Sequence, residues 1–157
     1  MDYITALNEL LQRHHFRRHG LLRNNVGQLQ LTGQLQGRAV DILLDTGAAS
    51  TVVDLNYCRR EGIVTRDTGK LGGGAGGLAL PIHALDGAVL ELDRLPLKSD
   101  GIYAVDLSHV NHGLAARGAN PVHGTLGADI LTYHRAVIDY ATMSLFLQHG
   151  EPEPESR

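Results

Sequence analysis

Residues 40–44 form a dense apolar run that leads straight into Asp45-Thr46-Gly47-Ala48-Ala49-Ser50, where small residues force the chain to turn. A strand so placed ends on a carboxylate. An acidic side chain at the end of a buried apolar strand is costly unless its charge has a partner or a use. Gly47, two positions on, lets backbone amides approach that carboxylate, and Thr46 adds a hydroxyl to lock the loop from beneath. The tripeptide Asp-Thr-Gly alone also occurs at ordinary strand-end turns. Its neighbours narrow the reading, because apolar residues precede it and Thr51-Val52-Val53 resumes the apolar pattern after Ala48.

The rest of the chain reads as mainly β. It holds 19 glycines, and aromatic residues make up only 4% of it, which favours tight turns and short strands over a helical bundle. Residues 26–42 read as two strands turned around Gly33 or Gly37, and the alternation Gln28, Leu29, Gln30, Leu31, Thr32 suits a half-exposed strand. The run Leu71-Gly72-Gly73-Gly74-Ala75-Gly76-Gly77-Leu78 is too rich in glycine for a helix and lies between two strand-forming arms, which predicts a mobile hairpin tip. Further strands are expected on either side of Asp86-Gly87, at 101–105, at 136–140 and at 145–147. Helices are predicted behind Asp2, where Tyr3, Ile4, Leu7, Leu10 and Leu11 keep helical spacing, and from the cap Asp54 to Arg60. Two more are predicted at 106–117 and from Leu126-Gly127 through Tyr133. No repeat of solenoid period is present.

Composition excludes several functions. The formal net charge is −3, so no basic field exists to attract nucleic acid or anionic lipid, and neither is expected as a partner. Cys58 is the single cysteine, which rules out an internal disulfide and reads as a small packed residue on a helix. The N-terminal segment lacks the uninterrupted apolar stretch of a secretory signal, so the expected location is cytoplasmic. Among nine histidines, His15 and His19 would share a face of a continuing helix and suggest a metal. With Arg13, Arg17 and Arg18 beside them and no clear third ligand, this segment reads instead as a solvated basic helix end. His109, His112, His123 and His134 read as exposed or capping residues. No metal and no cofactor are expected.

Three stretches together resemble retropepsin-like aspartic proteases, the family of retroviral proteases and their bacterial and cellular single-domain relatives. The first is Ile42-Leu43-Leu44-Asp45-Thr46-Gly47-Ala48. The second is the glycine-rich run, which is similar to the family's flap. The third is Leu126-Gly127-Ala128-Asp129-Ile130-Leu131 followed by Val137-Ile138-Asp139, which looks like the psi-loop, short helix and strand of the second half of such a domain. The resemblance covers about residues 27–148 and adds a helix-bearing insert around 98–120. It departs from the viral pattern at Ala128, where retroviral proteases carry arginine; Asp129 is a partial substitute.

The resemblance implies a single-domain acid-protease barrel at 25–149, with 1–24 as an N-terminal helical extension and 150–157 as a disordered tail. It implies an aspartic endopeptidase in which Asp45 is catalytic and Thr46, Gly47 and Ala48 support the loop. Gly73, Gly74, Ala75, Gly76 and Gly77 would form the flap over a peptide or protein substrate, and Leu126 and Gly127 the psi-loop. The mechanism needs two carboxylates, and of the two Asp-Thr-Gly tripeptides, 45–47 and 67–69, only the first follows a dense apolar strand, so a homodimer is expected. The strand at 145–147 pairs either across the two-fold axis or within the subunit. The N-terminal helix either covers the interface or blocks the cleft. The alternative is a catalytically silent module of the same fold that binds peptide or dimerises.

Overall fold

The computed structural model describes residues 2–73 and 79–150. Gly74, Ala75, Gly76 and Gly77 of the expected hairpin tip lie outside the described residues, as do residues 151–157 of the expected tail.

The chain opens with helix α1 (Tyr3–Arg13), capped by Asp2, whose carboxylate accepts the Thr5 amide at 2.8 Å. Strands β1 (Phe16–Gly20) and β2 (Leu22–Arg23) follow. The hairpin of β3 (Leu29–Leu35) and β4 (Arg38–Leu44) leads to the acidic loop, and β5 (Val52–Asp54) and α2 (Leu55–Arg60) come after it. Next are β6 (Arg66–Gly73) and β7 (Ala79–Leu85), which are the arms of the glycine-rich hairpin, then β8 (Leu90–Leu92) and β9 (Leu95–Pro96). The expected insert supplies β10 (Ile102–Val105) and α3 (Ser108–Ala116). The chain then runs through β11 (Gly124–Leu126), α4 (Ala128–Tyr133), β12 (Val137–Asp139) and β13 (Ser144–Gln148).

The turn of the first hairpin falls at Gln36-Gly37, both at positive φ, and not at Gly33. Gly33 lies in the middle of β3 because a Cβ there would meet the Glu91 carbonyl oxygen of β8 at 2.7 Å.

Ten strands form one sheet, in the order β6-β7-β10-β5-β11-β4-β3-β8-β9 with β2 also on β3. Its end strands β6 and β9 are not paired with each other among the described residues, so hydrogen bonding does not close a barrel. A second sheet has the order β1-β13-β12. The apolar run of β4 is explained by burial on both faces, which removes the alternation of a one-sided strand. Ile42 joins the main core with Leu35, Leu90, Leu92 and Leu126. Leu43 faces the other way, into a small cluster with Leu114, Ala119 and Val122. The insert is therefore the cover for the second face of β4, and burying Leu114 and Val122 contributes roughly 1.5–3 kcal/mol each. Cys58 is fully buried on α2, and burial pushes its thiol up to about 11.

The N-terminal segment differs from the expected helical extension. Helix ends at Arg13, His15 takes a φ of 67°, and the next residues pair as β1 with β13 along its whole length, from Phe16↔Gln148 to Gly20↔Ser144. His19 is consequently buried, where a solvated helix end was expected, and Arg17 and Arg18 remain exposed. The same pairing decides the alternatives for the strand at 145–147. With β1 on one edge and β12 on the other, β13 is paired within the subunit and has no edge left for a partner.

Candidate active site

Residues 45–51 connect β4 to β5, and β11 enters between these two strands, parallel to β4 (Leu126↔Leu44) and antiparallel to β5 (Gly124↔Val53). The backbone of Asp45 is fixed by this insertion, because its amide donates to the Leu126 carbonyl at 3.0 Å. Its carboxylate Oδ1 accepts the Gly47 amide at 3.1 Å, and the Ala48 amide closes the turn on the Asp45 carbonyl at 3.2 Å. Among the described residues no other donor is hydrogen-bonded to this carboxylate. The side chain is half-buried, with one oxygen positioned by the loop and the other without a hydrogen-bond partner among the described residues.

Beneath the loop, the first amides of α4, which have no partner within their own helix, donate to loop carbonyls. Ala128 donates to Ala48 at 2.7 Å and Asp129 to Ala49 at 3.2 Å. Gly127 makes this approach possible, since a Cβ there would lie 2.7 Å from the Ser50 carbonyl carbon and 2.8 Å from the Ala48 carbonyl oxygen. Leu126, just before it, is fully buried.

The hydroxyl that locks the loop is that of Thr51; Thr46 is exposed. Thr51, itself buried, accepts the Gly127 amide at 2.9 Å and donates to Asp129 Oδ1 at 2.7 Å, and its amide donates to the same oxygen at 3.0 Å. Sequence reasoning assigned no such role to Thr51. The signal was present in the acidic residue of the first turn after Leu126-Gly127, which needs donors when half-buried.

The two other acidic side chains near the loop in sequence do not join Asp45. Asp41 Oδ1 accepts the Thr32 hydroxyl across the β3–β4 pair at 3.1 Å. Asp54 is buried as the cap of α2 and also accepts the Leu107 amide at 3.2 Å. The β6–β7 hairpin pairs as far as Gly73↔Ala79, and its base is fastened by a forked pair of Arg66 to Asp86 at 2.8 and 3.0 Å. The Arg66 hydrogen bond holds the Asp86 carboxyl below its usual range.

Of the histidines expected at exposed or capping positions, His112 is exposed, His109 is half-buried, and His134 is a cap at the end of α4, though a buried one. Half-buried His123 accepts the Asp41 amide on Nδ1 at 2.9 Å. Among the described residues, no group of three or more His, Cys, Asp or Glu is placed to hold a metal ion. No helix among them is long and apolar enough to cross a membrane.

No family model matches the chain, and no curated protein matches it by sequence. Solved structures match its fold. A retropepsin-like aspartic protease from Rickettsia conorii superposes with a TM-score of 0.52 at 16% identity, covering 85% of this chain and 91% of that one. The retroviral protease-like domain of Ddi1 from Leishmania major gives 0.55 at 15% identity, covering 82% and 98%. The EIAV protease complexed with the inhibitor HBY-793 gives 0.46 at 18% identity, covering 68% and 86%. The chain thus has the retropepsin-like fold, mainly β, with a helix at the N-terminus, a helix in the insert and a short helix after the psi-loop.

Proposed function

We propose that the protein is an aspartic endopeptidase acting as a homodimer, with Asp45 of each subunit facing the other across a two-fold axis. The observation that carries this reading is the Asp45 loop itself. A half-buried carboxylate stands at the end of a strand buried on both faces, held by the Gly47 amide and seated on Leu126-Gly127. So much structure around a single acid is what a positioned catalytic group requires. The likeness in fold to a retropepsin-like aspartic protease and to a retroviral protease-like domain supports it.

In the dimer, two carboxylates in close proximity share one proton, because both cannot be ionised together. The ionised Asp45 takes a proton from a water held between them as its oxygen attacks the scissile carbonyl carbon. The protonated Asp45 of the other subunit then gives its proton to the amide nitrogen as the carbon–nitrogen bond breaks. Gly47, Ala48 and Thr51 hold the loop in position, and the β6–β7 hairpin with Gly73, Gly74, Ala75, Gly76 and Gly77 closes over the bound peptide as a flap.

The test is cleavage of a diverse peptide mixture by the purified protein from acid to neutral pH, beside Asp45→Asn, with products read by mass spectrometry. Wild type is expected to cut and the variant to be inactive. Absence of cutting by a wild-type protein that is dimeric would favour the catalytically silent peptide-binding module instead.

A further inference from the structure

Three imidazoles meet where β1, the end of α4 and the end of β13 come together, away from any role in the proposed chemistry. His19 of β1, 3% exposed, has Nδ1 at 2.8 Å from Asp93 Oδ2 in the β8–β9 turn. Its Nε2 is 3.1 Å from Nε2 of His149, the residue that follows β13. His134, also 3% exposed, lies 5.1 Å from His149 between ring centres.

The proton positions follow from the partners. A carbonyl only accepts, so His134 donates from Nδ1 to the Gln148 oxygen at 2.9 Å; an amide only donates, so its Nε2 carries a lone pair toward the Lys98 amide at 2.9 Å. His19 keeps its Nδ1 proton against the Asp93 carboxylate. Between the two facing Nε2 atoms one proton fits and two do not. The His19–His149 contact exists with the pair neutral or singly charged, and a second charge turns two N–H groups against each other.

The N-terminal segment hangs on this contact. The His149 amide donates to the His15 carbonyl at 3.0 Å and the Gln148 side chain to the His14 carbonyl at 2.9 Å, so displacement of His149 loosens the turn that joins α1 to β1. We propose that the His19–His149 pair is an acid-sensitive clasp, whose double protonation releases α1 and β1 from β13. Among the described residues the charged and titratable groups around it are Arg17 and Arg18 from β1, Asp93 from the β8–β9 turn, His134 and Arg135 at the end of α4, and His14 and His15 from the turn after α1. Among the described residues Asp93 is the one carboxylate in contact, and it balances one positive charge and not two. Burial, then the charges of His19, His134 and Arg17, push His149 down to about 4. The folded state therefore binds fewer protons than the unfolded chain between about 4 and the usual histidine value of 6.5. The clasp is at full strength above that window and weakens as pH falls through it.

The clasp needs no catalytic activity, so its test is independent of the protease reading. Amide hydrogen exchange of the full chain is followed from pH 7 to 3.5, corrected for the intrinsic pH dependence of exchange. Residues 16–20 are expected to exchange on the order of tenfold faster or more at pH 4, while β3, β4 and β11 stay protected. In His149→Gln, which keeps a donor and cannot take the second proton, residues 16–20 should keep their protection at that pH. A second arm needs no variant: NMR titration of the wild-type imidazoles should show one protonation midpoint near 4, coincident with the loss of β1 protection. Equal loss in wild type and His149→Gln, or titration of both His19 and His149 near 6.5, would overturn the proposal.

Discussion

Two residues beneath the Asp45 loop, Gly127 and Asp129, carry most of its support. Gly127 has backbone atoms of Ala48 and Ser50 where a Cβ would go, and backbone cannot yield as a flexible side-chain end can. Gly127→Ala is expected to cost about 1–3 kcal/mol of stability by overpacking, read as a lower urea midpoint, and to lower kcat by displacing the loop. Asp129→Ala leaves the Thr51 amide and hydroxyl without their shared acceptor, at about 1–3 kcal/mol. Asp129→Asn retains an acceptor oxygen and should lose clearly less in the same measurement. Equal losses for Asn and Ala would show that Asp129 does not act through Thr51. Legibility was uneven here. Asp45 stood out because an acid directly after an apolar strand is hard to explain by packing. Thr51 did not, because a threonine before two valines reads as ordinary strand sequence until its neighbour across the loop is known.

Among the elements, patterns of local origin were readable and those set by distant partners were not. The spacing of Tyr3 to Leu11, the capping aspartates and the turn at Asp86-Gly87 each act within a few residues, and α1, α2 and the β7–β8 connection follow them. Phe16-Arg17-Arg18-His19-Gly20 carries no apolar alternation, and its strand conformation comes from β13, more than 120 residues away, with Arg18 bound to Ser144 at 2.6 Å. Gly33 likewise reads as a turn residue, because sequence cannot show the β8 carbonyl that excludes a side chain there. The insert was legible as an addition, and its role was not. Leu114 of α3 packs in the cluster that holds Leu43, two residues before Asp45. Leu114→Ala is therefore expected to destabilise the fold by about 2–5 kcal/mol, measured by denaturant unfolding, and to reduce peptide cleavage under conditions where the variant stays folded.

For the whole molecule, only the Asp-Thr-Gly of Asp45 ends a strand buried on both faces; that of Asp67 lies exposed in β6 with its carboxylate on the Gly69 amide at 2.9 Å, and Asp41 is committed to Thr32 and Asp54 to the start of α2. In the proposed active site the second carboxylate comes from a second subunit, which would make activity and association a single property. The pairing of β13 within its own subunit further implies that its backbone takes no part in cross-axis strand pairing. The most direct test is to hold wild-type protein at a fixed concentration and titrate in Asp45→Asn, following peptide cleavage after subunit exchange. If each site is built from two Asp45 side chains, mixed dimers are inactive and cleavage falls toward zero as the variant captures the wild-type subunits. Cleavage that stays constant while mixed dimers form would show that one Asp45 suffices, and would contradict the shared site.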